Sequence, residues 1–153
     1  MPRLTAMEDI PGTRVLLVDD NLDFLKAAVD FLRRRPELVL VGATNGGEQA
    51  LAEAANLDPQ VILIDLEMPG LTNLETIPRL REMLPGVGIV GLTLLDSRAY
   101  LKAAQGAGAH AIVSKSKLVS DLLPAIRRIT RAGTPTLPRD LVAEERTRQL
   151  YIP

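Results

Sequence analysis

Five short apolar runs punctuate the chain, and each is followed by a stretch in which apolar residues recur every three or four positions. The runs are Val15-Leu16-Leu17-Val18, Leu38 to Val41, Val61-Ile62-Leu63-Ile64, Ile89-Val90-Gly91-Leu92 and Ala111-Ile112-Val113. Runs this short, bounded by turn residues, read as buried strands. Asn21 is placed to cap a helix carrying Leu25, Ala28, Val29 and Leu32, and Pro36 to stop it. Asn45-Gly46-Gly47 turns the second run, which ends at Ala43 and Thr44, into an alanine-rich helix with Ala50, Leu51 and Ala54, and Asp58-Pro59 restarts the cycle. After the third run and the loop Met68-Pro69-Gly70, Leu74, Ile77, Leu80 and Leu84 mark a third helix closed by Pro85-Gly86. The same spacing predicts a fourth helix from about Ser97 to Gln105 and a fifth from about Leu118 to Ala132.

Five strand-helix pairs point to a doubly wound α/β sandwich. Right-handed crossovers allow the first and third strands to lie side by side at its centre, with helices on both faces. A length of 153 residues with 46% hydrophobic content suits one compact domain. The expected organisation is a flexible tail over residues 1–12, the domain over 13–133, and a linker or short charged helix over 134–153. In that last segment Thr134-Pro135-Thr136-Leu137-Pro138 reads as the linker, and Leu141, Val142 and Leu150 as apolar positions beyond it.

A formal charge of -1 gives no basic footprint for nucleic acid, and 3% aromatic content gives no stacking platform for single strands, so direct nucleic-acid binding is not expected. The chain has no cysteine, which excludes disulfides and thiolate metal sites. No stretch approaches the roughly 20 apolar residues of a membrane span, and residues 1–12 lack the apolar core of a signal peptide. A soluble cytoplasmic protein, with no membrane partner, is the expectation.

The chemistry lies where the runs end. Asp19 and Asp20 follow the first, Asp65 the third, Thr93 the fourth and Lys115 the fifth, and in an open parallel sheet ligands bind at the carboxyl ends of strands. Taken singly, each has an ordinary explanation: Asp at a strand end commonly caps the next helix, a lysine is commonly a solvated charge, and Thr93 is a β-branched strand residue. Their shared position carries the assignment. Three neighbouring carboxylates require a counter-ion, and Mg²⁺ takes oxygen ligands while keeping several waters. Asp20 and Asp65 are assigned as direct ligands, the Glu67 backbone carbonyl as a third, and Asp19 as a ligand through water. Asp65, single and central, is the nucleophile for a covalent aspartyl phosphate. Lys115 offsets phosphoryl charge, and Thr93 donates its hydroxyl to the product.

Leu-Leu-Val-Asp-Asp at 16–20, Leu-Ile-Asp-Leu-Glu-Met-Pro-Gly at 63–70, Leu-Thr at 92–93 and Gly-Ala-His-Ala-Ile-Val-Ser-Lys at 108–115 resemble the receiver domains of two-component response regulators. The resemblance covers roughly Thr13 to Gly133. It implies an α/β fold of the flavodoxin-like (βα)5 kind, doubly wound around a central five-stranded parallel sheet. It also implies a non-enzymatic phosphorelay component that takes a phosphoryl group from a sensor histidine kinase onto Asp65 with Mg²⁺. Thr93 and Lys115 would then report to the face made by the fourth helix, fifth strand and fifth helix, where a homodimer would form. Val-Gly-Ala-Thr-Asn-Gly-Gly-Glu-Gln-Ala at 41–50 and Asp-Leu-Leu-Pro-Ala-Ile-Arg-Arg-Ile at 121–129 look most like LuxR-type (NarL/FixJ) members. Those usually carry a helix-turn-helix output domain, and the segment after Gly133 looks like the linker that precedes one.

Four positions depart from that family's pattern. Ile112 stands where an aromatic residue commonly moves with the switch threonine, so a relay must use Thr93 and backbone shifts. Leu94 is bulkier than the residue often found after the threonine and would slow exchange at the pocket. Asn73 replaces a frequent glycine, and Ser116 follows Lys115 where proline is common, so a cis peptide is not expected there. His110 reads as structural or exposed, and Arg33-Arg34-Arg35 as the solvated end of the first helix. Glu67 is placed to point its side chain at the pocket or to stand as an exposed charge. Two alternatives stay open: a haloacid-dehalogenase-like phosphohydrolase using Asp65 and Glu67, and a receiver-like scaffold without switching.

Overall fold

A computed structural model of the chain describes residues 12–67, 73–94 and 98–131. Strands β1 (Thr13–Val18), β2 (Leu38–Thr44), β3 (Val61–Asp65), β4 (Gly88–Thr93) and β5 (Ala111–Ser114) alternate with helices α1 (Leu22–Arg33), α2 (Gly47–Leu57), α3 (Asn73–Met83), α4 (Arg98–Ala107) and α5 (Leu118–Arg131). A single 3-10 turn, Lys115–Lys117, joins β5 to α5. All five strands pair in parallel in the order β2-β1-β3-β4-β5. That order is the flavodoxin-like doubly wound arrangement, with its switch point between β1 and β3. The loop at Met68-Pro69-Gly70, Ser97 at the start of the fourth predicted helix, the tail over 1–11 and the segment beyond Arg131 lie outside the described residues.

The strands bury both faces because their residues are apolar without alternation. Val15, Leu17, Val61, Leu63, Val90, Leu92 and Val113 form one core with Ala28 and Leu32 of α1 and Leu122, Ala125 and Ile126 of α5. Leu16, Val18, Ile62, Ile64 and Ile89 form the other with Ala50 and Ala54 of α2, Ile77 and Leu80 of α3 and Ala104 of α4. The period of two along each strand therefore decides which helices a residue meets. Truncating a fully buried Leu63 or Ile64 to alanine would cost about 2–5 kcal/mol.

Two side chains extend the sheet at its amino edge, remote from the strand ends named above. His110 donates its backbone N–H to Ile89 O at 2.8 Å, while its side-chain Nδ1 accepts the Ile89 N–H at 3.0 Å. Gln60 does the same for β1, donating to Arg14 O at 2.8 Å and accepting the Arg14 N–H on Oε1 at 2.9 Å. In each case a side-chain acceptor stands where a strand carbonyl would be.

Candidate functional site

Register fixes the height of each functional group. Val18 lies opposite Ile64, so Asp19 follows at the level of Asp65, which pairs with Leu92. Thr93 pairs with Ser114, which puts Lys115 one step higher. Strand phase fixes the side. Asp19 continues the Val15-Leu17 series and Asp65 the Val61-Leu63 series, and Lys115 follows Val113 at the same interval, all toward α1 and α5. Thr93 is out of phase with Leu92 and falls on the opposite face.

Asp19 is fully buried and Asp65 nearly so, while Asp20 is exposed. The Asn21 cap that opens α1 accepts the Phe24 N–H on its side-chain oxygen at 3.0 Å, and its own N–H donates to Asp19 Oδ1 at 2.8 Å. On Asp65, Oδ1 accepts the Glu67 N–H at 3.0 Å. The loop after Asp65 is pinned further by Leu66, whose N–H donates to Leu92 O at 2.9 Å. The Leu66 side chain covers Gly91 so closely that a Cβ there would stand 2.8 Å from its Cδ1.

Lys115 is the cation of the site. Its Nζ lies 2.7 Å from Asp19 Oδ2 and 3.4 Å from Asp65 Oδ2, with only 6% of the side chain exposed. The ammonium also sits 4.5 Å from the centroid of the Phe24 ring on α1. Sequence reasoning missed Phe24. Its signal was an aromatic residue four positions past Asp20, on the helix that Asn21 caps. Burial, together with the charge of Asp19, raises the Asp65 carboxyl to about 6, against the pull of the Glu67 N–H and of Lys115.

Thr93 is buried, and its hydroxyl donates to Glu67 Oε2 at 2.5 Å. The other carboxylate oxygen, Oε1, accepts the Leu94 N–H at 3.3 Å. Glu67 therefore does not stand as a free exposed charge; its half-buried side chain is turned to the end of β4. Leu94 is 64% exposed. Ile112 packs partly buried against the core beneath α2, α3 and α4, and the Lys115–Ser116 peptide is trans. Burial, with Arg81 nearby, lowers the pKa of His110, consistent with a neutral ring whose Nδ1 accepts the Ile89 N–H hydrogen bond.

Oxygens of Asp19, Asp20 and Asp65 all lie within 4.8 Å of one another. Neighbouring ligands of an octahedral Mg²⁺ stand about 3 Å apart, so this span suits two direct carboxylates and a third reached through water. Among the described residues, buried Asp19 Oδ2 has the Lys115 ammonium beside it at 2.7 Å and no further hydrogen-bond partner, which leaves it acceptor capacity. Three carboxylates against one ammonium carry excess negative charge. The donor set fits a hard divalent cation.

Residues 15–127 match the response regulator receiver domain. The chain belongs to that family. It is 32% identical over 144 residues to the nitrate/nitrite response regulator protein NarL of Escherichia coli, an alignment covering 90% of this chain and 66% of that protein. It is also 39% identical over 130 residues to a protein-glutamate methylesterase/protein-glutamine glutaminase of Cereibacter sphaeroides, covering 82% of this chain and 35% of that one. The chain thus spans under two thirds of the length of these relatives. Among solved structures, a two-component response regulator of the LuxR family from an Aurantimonas species superposes with a TM-score of 0.74 at 26% identity, over 79% of this chain and 86% of that one. Phosphorylation and switching are general to receiver domains, and NarL/LuxR-type response regulators are among this chain's relatives and structural neighbours. Among the described residues no helix is long and apolar enough to cross a membrane.

Proposed function

We propose that Asp65 accepts a phosphoryl group from the phosphohistidine of a sensor histidine kinase, and that the modified receiver changes its protein contacts. The observation that carries this reading is the buried Asp65 carboxylate at the end of the central strand, within 3.4 Å of the Lys115 ammonium and beside two further carboxylates. A carboxyl titrating at about 6 is largely ionised at neutral pH, so it can attack phosphorus. The phosphorus–nitrogen bond to imidazole breaks as the bond to an Asp65 oxygen forms, and the freed imidazole nitrogen takes up a proton. Lys115 is held by Asp19 where it would meet the incoming phosphoryl oxygens, which is the electrostatic support that phosphoryl transfer needs. Asp20, Asp65 and the Glu67 carbonyl would hold Mg²⁺, with Asp19 reached through water, and the ion would supply further neutralisation of phosphoryl charge.

In the same reading, the receiver occupies residues 13–133 and acts in the cytoplasm without turnover or nucleic-acid contact of its own. Its self-contact forms through α4, β5 and α5, the elements that follow Thr93 directly. Incubation with acetyl phosphate, with and without Mg²⁺, followed by intact-mass spectrometry tests the core of it. The expected result is a Mg²⁺-dependent gain of one phosphoryl group that Asp65→Asn lacks. Full labelling of Asp65→Asn would sink the assignment, and steady turnover of small phosphate esters would favour a phosphohydrolase.

A further inference from the structure

Glu67 joins the two halves of the site. Its backbone N–H is fixed to Asp65 Oδ1. Its carboxylate accepts two donors from consecutive residues, the Thr93 hydroxyl at Oε2 and the Leu94 N–H at Oε1. Paired donors of this kind, a hydroxyl and a backbone amide at a strand end, are what an anionic oxygen seeks. In the unphosphorylated chain the anion that satisfies them is built in.

A phosphoryl group on Asp65 would place further anionic oxygens beside a residue tied to Glu67 through its backbone. Two anions cannot both hold the Thr93 hydroxyl hydrogen, and their mutual repulsion in a partly buried site drives one away. We infer that Glu67 is a positioning residue that clasps Thr93 and Leu94 before phosphorylation and is displaced from Thr93 by the phosphoryl group. The inference rests on Asp65 being the phosphoacceptor. Switching then begins as an exchange of acceptors at Thr93. It also frees the Leu94 N–H, at a residue whose side chain is already exposed. With Ile112 in place of an aromatic relay, this exchange is a local means of coupling Asp65 to the end of β4.

The test uses the full chain, ¹⁵N-labelled, with beryllofluoride and Mg²⁺ as the phosphoryl mimic. In the unliganded state the Leu94 amide should exchange at least tenfold faster in Glu67→Ala than in the wild type, with Glu67→Gln in between because it retains one acceptor oxygen. Beryllofluoride should bind roughly tenfold more tightly to Glu67→Ala, since no clasp has to be opened, a change of about 1.4 kcal/mol, with a smaller gain for Glu67→Gln. In a Thr93→Val background the gain from Glu67→Ala should fall below about threefold. An unchanged Leu94 exchange rate in Glu67→Ala, or an equal gain with and without the Thr93 hydroxyl, overturns the clasp. The second of these would leave only general charge repulsion. If the wild type binds no beryllofluoride, the phosphoacceptor assignment fails and the displacement with it, while amide exchange still reports whether the clasp exists.

Discussion

Replacing Lys115 by alanine removes the ammonium that lies 2.7 Å from Asp19 and 3.4 Å from Asp65. Gross attraction between unit charges at such distances is about 4–6 kcal/mol at an effective dielectric near 20, and desolvation of the ammonium offsets part of it. The larger effect is what stays behind: a fully buried Asp19 with no counter-charge. Breaking a buried pair in this way costs about 3–5 kcal/mol. Because the penalty belongs to uncompensated negative charge, it should respond to any other source of positive charge. Urea unfolding of Lys115→Ala at pH 7.5 should give a midpoint well below the wild type, with about 3 kcal/mol lost. Either 10 mM Mg²⁺ or a shift to pH 5.5 should restore at least half of it, Mg²⁺ by binding the carboxylates and acid by protonating Asp65. By linkage, recovery of half the loss corresponds to Mg²⁺ binding about tenfold more tightly to the variant than to the wild type, while the response to phosphorylation is lost. A loss below about 1 kcal/mol, or one indifferent to both Mg²⁺ and pH, would refute the view that Lys115 neutralises this cluster.

The acid limb of wild-type stability carries its own test. Asp65 titrates near 3.8 when unfolded and at about 6 when folded. The folded state therefore binds the extra proton between those values, and without metal stability should fall as pH rises from about 4 to about 6. The bound is about 3 kcal/mol, less after solvent screening at the open edge, and Asp65→Asn should flatten that slope in denaturation curves. His110 acts in the opposite sense. Its folded pKa is lowered, so its contribution is present above about 6.5 and lost as pH falls through the folded value. His110→Ala should cost about 1–2 kcal/mol at pH 7.5 by orphaning the Ile89 N–H, and the cost should shrink at pH 5. Gly91→Ala drives a methyl into Leu66 and should destabilise by about 1–3 kcal/mol in thermal unfolding, whereas Gly91→Ala combined with Leu66→Ala should recover part of the loss.

Much of the fold was legible because its strands are uniform apolar runs and its helices keep a strict spacing. The Asn21 cap and the stop before Pro36 appear where local chemistry demands them. Proline was less reliable as punctuation: Pro78 and Pro124 lie inside α3 and α5, where their exposed positions let the helices tolerate a missing N–H. The acidic cluster and Lys115 were readable from strand ends alone, since parallel register carries strand ends to one edge. Partnerships across that edge were not. The lysine could be placed in the site, but its contact with Phe24 depends on where α1 lies over the sheet. Glu67 was legible as a neighbour of Asp65 in sequence, yet its side chain answers to Thr93, 26 residues away. The ladder role of His110 depends in the same way on a strand remote in sequence.

Strand phase supplies what a list of site residues lacks. Asp19, Asp65 and Lys115 form the acid–cation group on the α1 and α5 side, and Thr93 leaves the sheet on the other. A group that bridges them must come from a loop free of strand alternation, and Glu67, two residues beyond the end of β3, is in that position. Its backbone serves the acidic side by donating to Asp65 while its carboxylate serves the other by accepting from Thr93. Altering the charge on Asp65 therefore acts on Thr93 through a single residue over a few bonds. The coupling needs no rearrangement of the packed cores, whose close packing would resist one. Variants that thin those cores should lower stability without changing how beryllofluoride shifts the Thr93 and Leu94 resonances, whereas substitutions at Glu67 should do the reverse.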